Sequence, residues 1–543
     1  MQSPLLSYGL AVMRGQVVRR MRRWKFFLRK CIWLWGAALV FLLVFAACVW
    51  PVGAPEYPGE IVLAAARDLA PGEKDPYYIS SIAKVWEPLV ETDNDGTIRG
   101  CLAESWESNE DCTRWRFLLR QGVLFQDGEP FDADAVVANY QRWERMGYRT
   151  STFYGFLLSR VYPGYQGIRK LGEYEVELSF DRPQPMLIYR MINFSSPMFS
   201  PKCFDVESGD FTDYAVGTGP FQIVDRKPGQ WVLLRRFAGY HGEKARSEYI
   251  RLVSMPNTAT RFSALKAGEI LGVLDIGAMA PSFTLELLRD PRFAVAANRN
   301  TINQYLTVNQ EHWPFSDGRM IRAISLLMDR EAIVRYYFHP QSEPTVGMLN
   351  FCSPFAKRYP VRRDEAAAIA LAKEVMGDAW YQAKLLLPQY GLSRYSYKEV
   401  AEYLQMELKK LHIDLRILIL DSATHGRYTS AGNYNFSLGT HGMANYAPES
   451  LLQGYMTAAG QENRLYHIGY KNDEAEEIFR RLPGMLDMAE RRALYDRLQD
   501  IAVEAPPIIP IDSDYNVVVY NQAELTGYGA TTYGVTLDKI ARR

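Results

Sequence analysis

The chain has 543 residues, 48% apolar and 13% aromatic, enough for an extensive core and more than one structural unit. Basic and acidic residues both number 62, but residues 1–50 hold eight basic groups and no acid, which leaves 54 basic against 62 acidic in the body. A mildly acidic body argues against nucleic-acid binding as the main activity.

In chain order, Arg14 to Lys30 supply the basic groups, and Cys31–Trp50, CIWLWGAALVFLLVFAACVW, follows with no charge. Twenty helical residues at about 1.5 Å each match the roughly 30 Å hydrocarbon layer. Positive flanks stay cytoplasmic, so the remainder is expected to be exported. The run exceeds the ~7–15 apolar residues of a secretory signal, although translation from Met21 would give a more ordinary leader. Its end, VFAAC, is similar to a bacterial lipoprotein box, with Cys48 as the lipidated residue and Phe45 departing from the usual Leu. Three expectations stand: an uncleaved anchor, a lipidated Cys48, or plain cleavage. All place the body outside the cytoplasm and near a membrane.

Residues 51–59, containing PVGAPEYP, read as an extended linker, and EIVLAAA (Glu60–Ala66) as a strand. A short helix is expected to end near Val90. Strands flank the turn Asn109–Cys112; Trp115, Phe117 and Leu119 alternate with Arg114, Arg116 and Leu118, as a half-buried strand requires. Asp132 should cap a helix with Val136, Val137, Tyr140 and Trp143 on its apolar face. Export permits disulfides. Cys101 and Cys112 are close enough in sequence to bridge a hairpin, with buried free thiols as the alternative for all four body cysteines.

From about 170 to 300 the chain is strand-rich, with YEVELSF and WVLLRRF the clearest segments. Asp317–Phe338 predicts two helices broken around Met328–Asp329. LLLPQ and DLRILILD read as strands around a helix in YKEVAEYLQMELKKLHI. A mostly helical stretch with a Pro-Gly break precedes a return to strand in PPIIPIDSDYNVVVY. This order indicates an α/β protein of two lobes with a crossing chain.

No H-E-x-x-H, G-x-x-x-x-G-K-[ST] or G-x-S-x-G occurs, and the seven histidines do not cluster at metal-ligand spacing. No cofactor or metal is expected. A hydrolase using an Asp/Glu pair remains a minor alternative, since no spacing selects a pair. Gly217-Thr218-Gly219 could suggest a phosphate loop, but Pro220 removes an N–H, and FQIV and WVLLRR flank a turn as a hairpin. The glycines are expected to let the backbone pass tightly between the two lobes.

Several segments in order resemble the family 5 solute-binding proteins of bacterial ABC importers, the oligopeptide, dipeptide and nickel-binding group. They are VWEPLVETDNDGTIRGCLAESWE, WRFLLRQGVLFQDGEPFDADAVV, VGTGPFQIVDRKPGQWVLLRRFAGYHG, LTVNQEHWPFSDGRMIRAISLLMDREAIV and APPIIPI, spread collinearly from about 60 to 525. The resemblance implies a periplasmic-binding-protein clamshell, type II-like and of the large three-domain variety. Its first lobe would span 60–300 with a subdomain inserted at about 100–200, its second lobe 301–505, and 506–543 would return to the first. It implies capture of a peptide-like or other small organic solute for an ABC permease and ATPase, without catalysis. The alternative is a membrane-anchored sensor or scaffold that kept the fold but not transport.

The resemblance also implies ligand-binding positions. Peptide-binding members carry a segment resembling G-W-x-A-D-Y, whose Asp pairs with the peptide α-ammonium group and whose Trp walls the pocket. Here LGTHGMANYAPES, which includes His441, places Gly442 at the Trp, Asn445 at the Asp and keeps Tyr446; Glu449 could take over the acidic role. An amide does not neutralise a buried ammonium. An uncharged, hydroxyl- or amide-rich ligand or a blocked peptide is therefore expected, unless Asn445 only caps a turn. Tyr77 and Tyr78 are candidate aromatic walls, and Arg394 a candidate for a ligand carboxylate.

Overall fold

The computed structural model describes residues 57–67, 82–93, 96–146, 158–192, 196–443 and 445–543. The basic leader, the Cys31–Trp50 run, Cys48, Tyr77 and Tyr78 lie outside the described residues.

An eleven-stranded mixed sheet organises the unit Gly59–Arg543. One end is built on the buried strand Ile61–Ala65, which pairs in parallel with Tyr249–Ser254 and Gly272–Val273. The expected hairpin, Phe221–Lys227 and Trp231–Arg236, extends this end. The other end holds three parallel strands, Phe436–Gly442, Tyr381–Pro388 and Ile413–Leu420. Two long antiparallel neighbours, Phe293–Val308 and Ile509–Asn521, join the ends through an unbroken line of strand neighbours.

Local chemistry accounts for the flanking helices. Asp317 and Asp329 cap Gly318–Leu327 and Arg330–Tyr337 through their side chains, so the break at Met328 falls where expected. Asn257 starts Thr258–Ala267, and Gly268, at φ 78°, stops it. The Pro-Gly break is a 3₁₀ turn, Leu482–Gly484, between Asp473–Arg481 and Met488–Glu504.

A separate antiparallel sheet has the order Ala103–Ser108, Arg114–Leu119, Glu175–Phe180, Tyr165–Gly172. Trp115, Phe117 and Leu119 are buried on it, as their alternation requires. Helix Ala133–Met146 is capped by Asp132 Oδ1, which accepts from the Ala135 N–H at 2.9 Å, and buries Val136, Tyr140 and Trp143. One apolar cluster runs from this sheet, at Phe117 and Leu178, to Tyr446, Leu452, Tyr495 and Ile508. Burying each such side chain contributes about 1.5–3 kcal/mol.

Three expectations need correction. The segment ending near Val90 is not helical there: Lys84 adopts φ 56°, and Glu87–Pro88 and Val90–Thr92 are short strands. Cys101 and Cys112 form no disulfide; both are free, as are Cys203 and Cys352. Cys101 precedes strand Ala103–Ser108 and Cys112 sits in the turn beyond it. Six residues of strand separate them by about 20 Å, against the ~7 Å Cα limit of a disulfide. Gly217 and Gly219 do mark a close backbone approach, but against Lys84–Trp86 rather than between the ends of the large sheet. A Cβ on Gly219 would meet Lys84 O at 2.3 Å. Gln126 fixes this contact, donating to Val85 O at 2.7 Å and accepting from the Gly217 N–H at 3.1 Å.

Candidate functional site

The two long strands pair as Phe293–Arg299 with Tyr515–Asn521 and as Asn303–Leu306 with Ile509–Ser513; between Arg299 and Asn303 the register shifts. Asn300, Thr301 and Ile302 occupy this irregularity, and their neighbours converge on it. The Met443 N–H donates to Thr301 O at 2.9 Å, and Thr301 Oγ1 lies 2.8 Å from the Tyr533 hydroxyl. Loop 443–450, which leaves strand Phe436–Gly442, is thereby fastened beside the crossing.

Asn445 is buried, and its Oδ1 accepts from the Ala447 N–H at 3.0 Å and the Ser450 hydroxyl at 2.8 Å. Its carbonyl oxygen holds a turn ahead of helix Glu449–Met456. Tyr446 is buried between Thr92, Thr532 and Cys352, and burial raises its phenol pKa. Its N–H donates to Tyr189 O at 3.0 Å. His441 Nδ1 is 2.7 Å from the Tyr455 hydroxyl.

Glu449 is also buried. Its Oε1 accepts from Arg190 Nη2 at 2.9 Å and Arg491 Nη2 at 3.3 Å, and its Oε2 accepts from the Tyr495 hydroxyl at 2.5 Å. Burial alone would raise the carboxyl pKa, but Arg190, Arg491 and the tyrosine more than offset it, and the net shift is downward. This carboxylate is engaged within the protein.

Arg394 ends the short helix Gln389–Arg394 and packs on Gly277, where a Cβ would lie 3.3 Å from that of Arg394. Tyr390 on the same turn interacts with Thr440 and Arg394. Thr440 precedes His441 on strand Phe436–Gly442. Two residues before Gly277, the buried Asp275 accepts from Arg67 Nε at 2.6 Å.

Two cavities stand out among the described residues. One, of about 250 Å³, is lined by Arg190, Asn445, Glu449, Ser450, Gln453 and Glu462. The other, of about 260 Å³, is lined by Glu87, Glu91, Arg99, Tyr240, Thr532 and Tyr533. In its wall Glu87 accepts from Thr218 at 2.8 Å and Tyr240 at 2.7 Å, and lies 2.8 Å from His241 Nε2.

The sequence reading missed Arg190, Arg491 and Arg67. Arg190 had a signal, being a lone charge within PMLIYRMINF.

This mixed α/β fold, with one large sheet running through two long antiparallel strands, matches that of periplasmic binding proteins. The family model described as "Bacterial extracellular solute-binding proteins, family 5 Middle" matches residues 97–463. The chain belongs to this family of extracellular solute-binding proteins. The glutathione-binding protein GsiB of Salmonella typhi is 23% identical over 490 residues, covering 86% of this chain and 91% of that protein. GsiB of Escherichia coli K12 is 22% identical over 483 residues, again covering 86% and 91%. Among solved structures, NikA from Brucella suis in complex with Fe(III)-EDTA superposes with TM-score 0.78 at 20% identity, covering 90% of this chain and all of that one. DppA from Helicobacter pylori in complex with peptide STSA gives 0.69 at 20% identity, covering 89% and 98%.

Proposed function

We propose that the chain captures an uncharged or N-blocked peptide-like solute, or another small amide- or hydroxyl-rich solute, between two lobes for transfer to an ABC permease and ATPase. The lobes are 60–300 with 506–543, and 301–505, with an inserted subdomain at about 100–200. Tyr77, Tyr78, Arg394, His441, Asn445 and Tyr446 contribute to the site. Hinge closure brings both lobes to the ligand and opening withdraws them together.

The observation carrying the ligand class is the state of Asn445 and Glu449. Asn445 caps a turn, the exception raised from the sequence, so its amide alone does not select the ligand; Glu449 spends its carboxylate on two arginines and a tyrosine. Neither offers a free anion to an α-ammonium group, whose burial without a partner costs several kcal/mol.

The test is thermal stabilisation of the full chain by matched dipeptides with free and acetylated N-termini, and by glutathione. A ligand at 100 times Kd adds about 2.7 kcal/mol. Acetylated peptides should stabilise at least as well as free ones, and Asn445→Asp should shift preference toward the free amine. Stabilisation by free-amine peptides alone would overturn the ligand class.

We further propose that residues 1–50 hold the body at the membrane, as an uncleaved helix or through lipid on Cys48. The basic flank and the charge-free Cys31–Trp50 run support this. The mass of the mature N-terminus tests it, and a soluble product beginning near residue 51 would overturn it.

A further inference from the structure

The strongest bridge to loop 443–450 comes from the helix Leu187–Met191, just beyond the four-stranded sheet in the chain. Leu187, Ile188 and Met191 bury themselves, and the remaining two residues reach across. Tyr189 O receives the Tyr446 N–H, and the Tyr189 ring meets Phe355 edge-on at 5.0 Å. Arg190 Nη2 donates to Glu449 at 2.9 Å and Nη1 to Ser450 Oγ at 3.4 Å. The Arg190 and Glu449 side chains are 9% and 8% exposed.

Glu449 is built asymmetrically. Two of its three donors, Arg491 and Tyr495, lie on helix Met488–Glu504, from its own part of the chain. Among the described residues, Arg190 alone comes from the other side. Separating a buried ion pair normally strands a charge. Here the carboxylate keeps two donors when Arg190 leaves, and the freed guanidinium can be hydrated. Arg190 Nε is buried and has no acceptor among the described residues, so within them the guanidinium docks with one donor unmet. Such a contact can hold and can also let go. Ser450, its second acceptor, is also the donor to Asn445 Oδ1, so Arg190 reaches the candidate ligand loop directly.

We propose that Arg190 is a positioning residue for solute capture, a releasable clasp that docks the inserted subdomain onto Glu449 and holds loop 443–450 in its ligand-ready form. The proposal rests on the two-lobe capture reading above.

Amide exchange of the full chain tests it, because the Tyr446 N–H crosses the bridge. Arg190→Met should speed exchange at Tyr446 by about tenfold or more, the equivalent of one charge-assisted hydrogen bond. Amides of strand Ile61–Ala65 should keep their rates. Glu449→Gln should have the same effect, and Arg190→Lys should restore part of the protection. Unchanged exchange at Tyr446, or equal acceleration in Ile61–Ala65, would overturn the clasp. If Tyr446 responds while no solute stabilises the chain, the docking contact stands, and its role in solute capture falls with the capture reading. If solutes bind and Tyr446 does not respond, the clasp alone falls.

Discussion

Asp512 and Asp514 lie on one face of strand Ile509–Asn521, both buried, and share the neighbours Gln304 and Ser342. Asp514 accepts from Ser342 at 3.1 Å, the Tyr515 N–H at 2.8 Å, Asn300 at 3.3 Å and Gln304 at 3.4 Å. Asp512 accepts from the Gln304 N–H at 3.0 Å, and its Oδ2 has no donor among the described residues. Burial, followed by the charge of Asp514, holds the Asp512 pKa well above the carboxylate range; burial pushes Asp514 up to about 6. A carboxyl with a raised native pKa binds more protons folded than unfolded, so stability falls as pH rises from about 4 through about 6, and Asp512 carries the loss higher. Asp512→Asn should raise the melting temperature at pH 7.5 and flatten its fall between pH 5 and 7.5. A variant with the wild-type slope would refute this.

Arg330 is buried with three neutral acceptors: Pro510 O at 2.7 Å, Ser325 O at 2.8 Å and Ser325 Oγ at 2.9 Å. Burial lowers its pKa to about 10, so it remains charged at neutral pH. Lysine cannot reproduce this planar fork. Arg330→Lys should cost about 2–3 kcal/mol in denaturant unfolding, and a loss below ~0.5 kcal/mol would count against the geometry.

Gly219 lies against the Lys84 and Val85 carbonyls, and a Cβ there would meet backbone atoms at 2.3 and 2.8 Å. Gly219→Ala should destabilise by about 2 kcal/mol or more through forced backbone movement. Gly122→Ala is the contrast: its Cβ would meet nothing within 4 Å, but its φ of 73° still carries a penalty, of about 1–2 kcal/mol.

Cys112 is half-buried on a turn and Cys101 is buried, with burial raising the Cys101 thiol pKa well above its ordinary value. Alkylation of the folded chain at pH 8 should modify Cys112 well before Cys101. Peptide mapping of non-reduced protein should find no Cys101–Cys112 bridge, and a bridge would refute the separation described here.

Elements with strong local signals were legible in the sequence. The alternation around Trp115, the Asp317 and Asp329 caps, and the turn between FQIV and WVLLRR all appear where their residues place them. Phe293–Val308 was not legible as a strand. Its centre, NRNTINQ, is polar because it lies at a crossing where side chains bond to other side chains and to backbone. The short helix near Val90 failed because contacts with Met198 and Gly100, both distant in sequence or across a turn, pull that segment into strands. At the site, loop 443–450 could be located from its residue pattern. The partners of Glu449 could not, because Arg190 and Arg491 are 259 and 42 residues away from it.

The register shift between Arg299 and Asn303 bears on the mechanics of the molecule. Apart from a one-residue slip between Gln304 and Tyr305, the long strands are elsewhere laced rung by rung, and changing their mutual twist would strain many hydrogen bonds at once. Across Asn300–Ile302 the lacing to Ile509–Asn521 is absent, and side chains such as Asn300 on Asp514 replace it. Side-chain bonds tolerate rotation better than a ladder does, so torsional compliance is concentrated in three residues. The sheet can behave as two stiff plates with one soft line between them, and that line runs beside the loop that carries Asn445 and Tyr446.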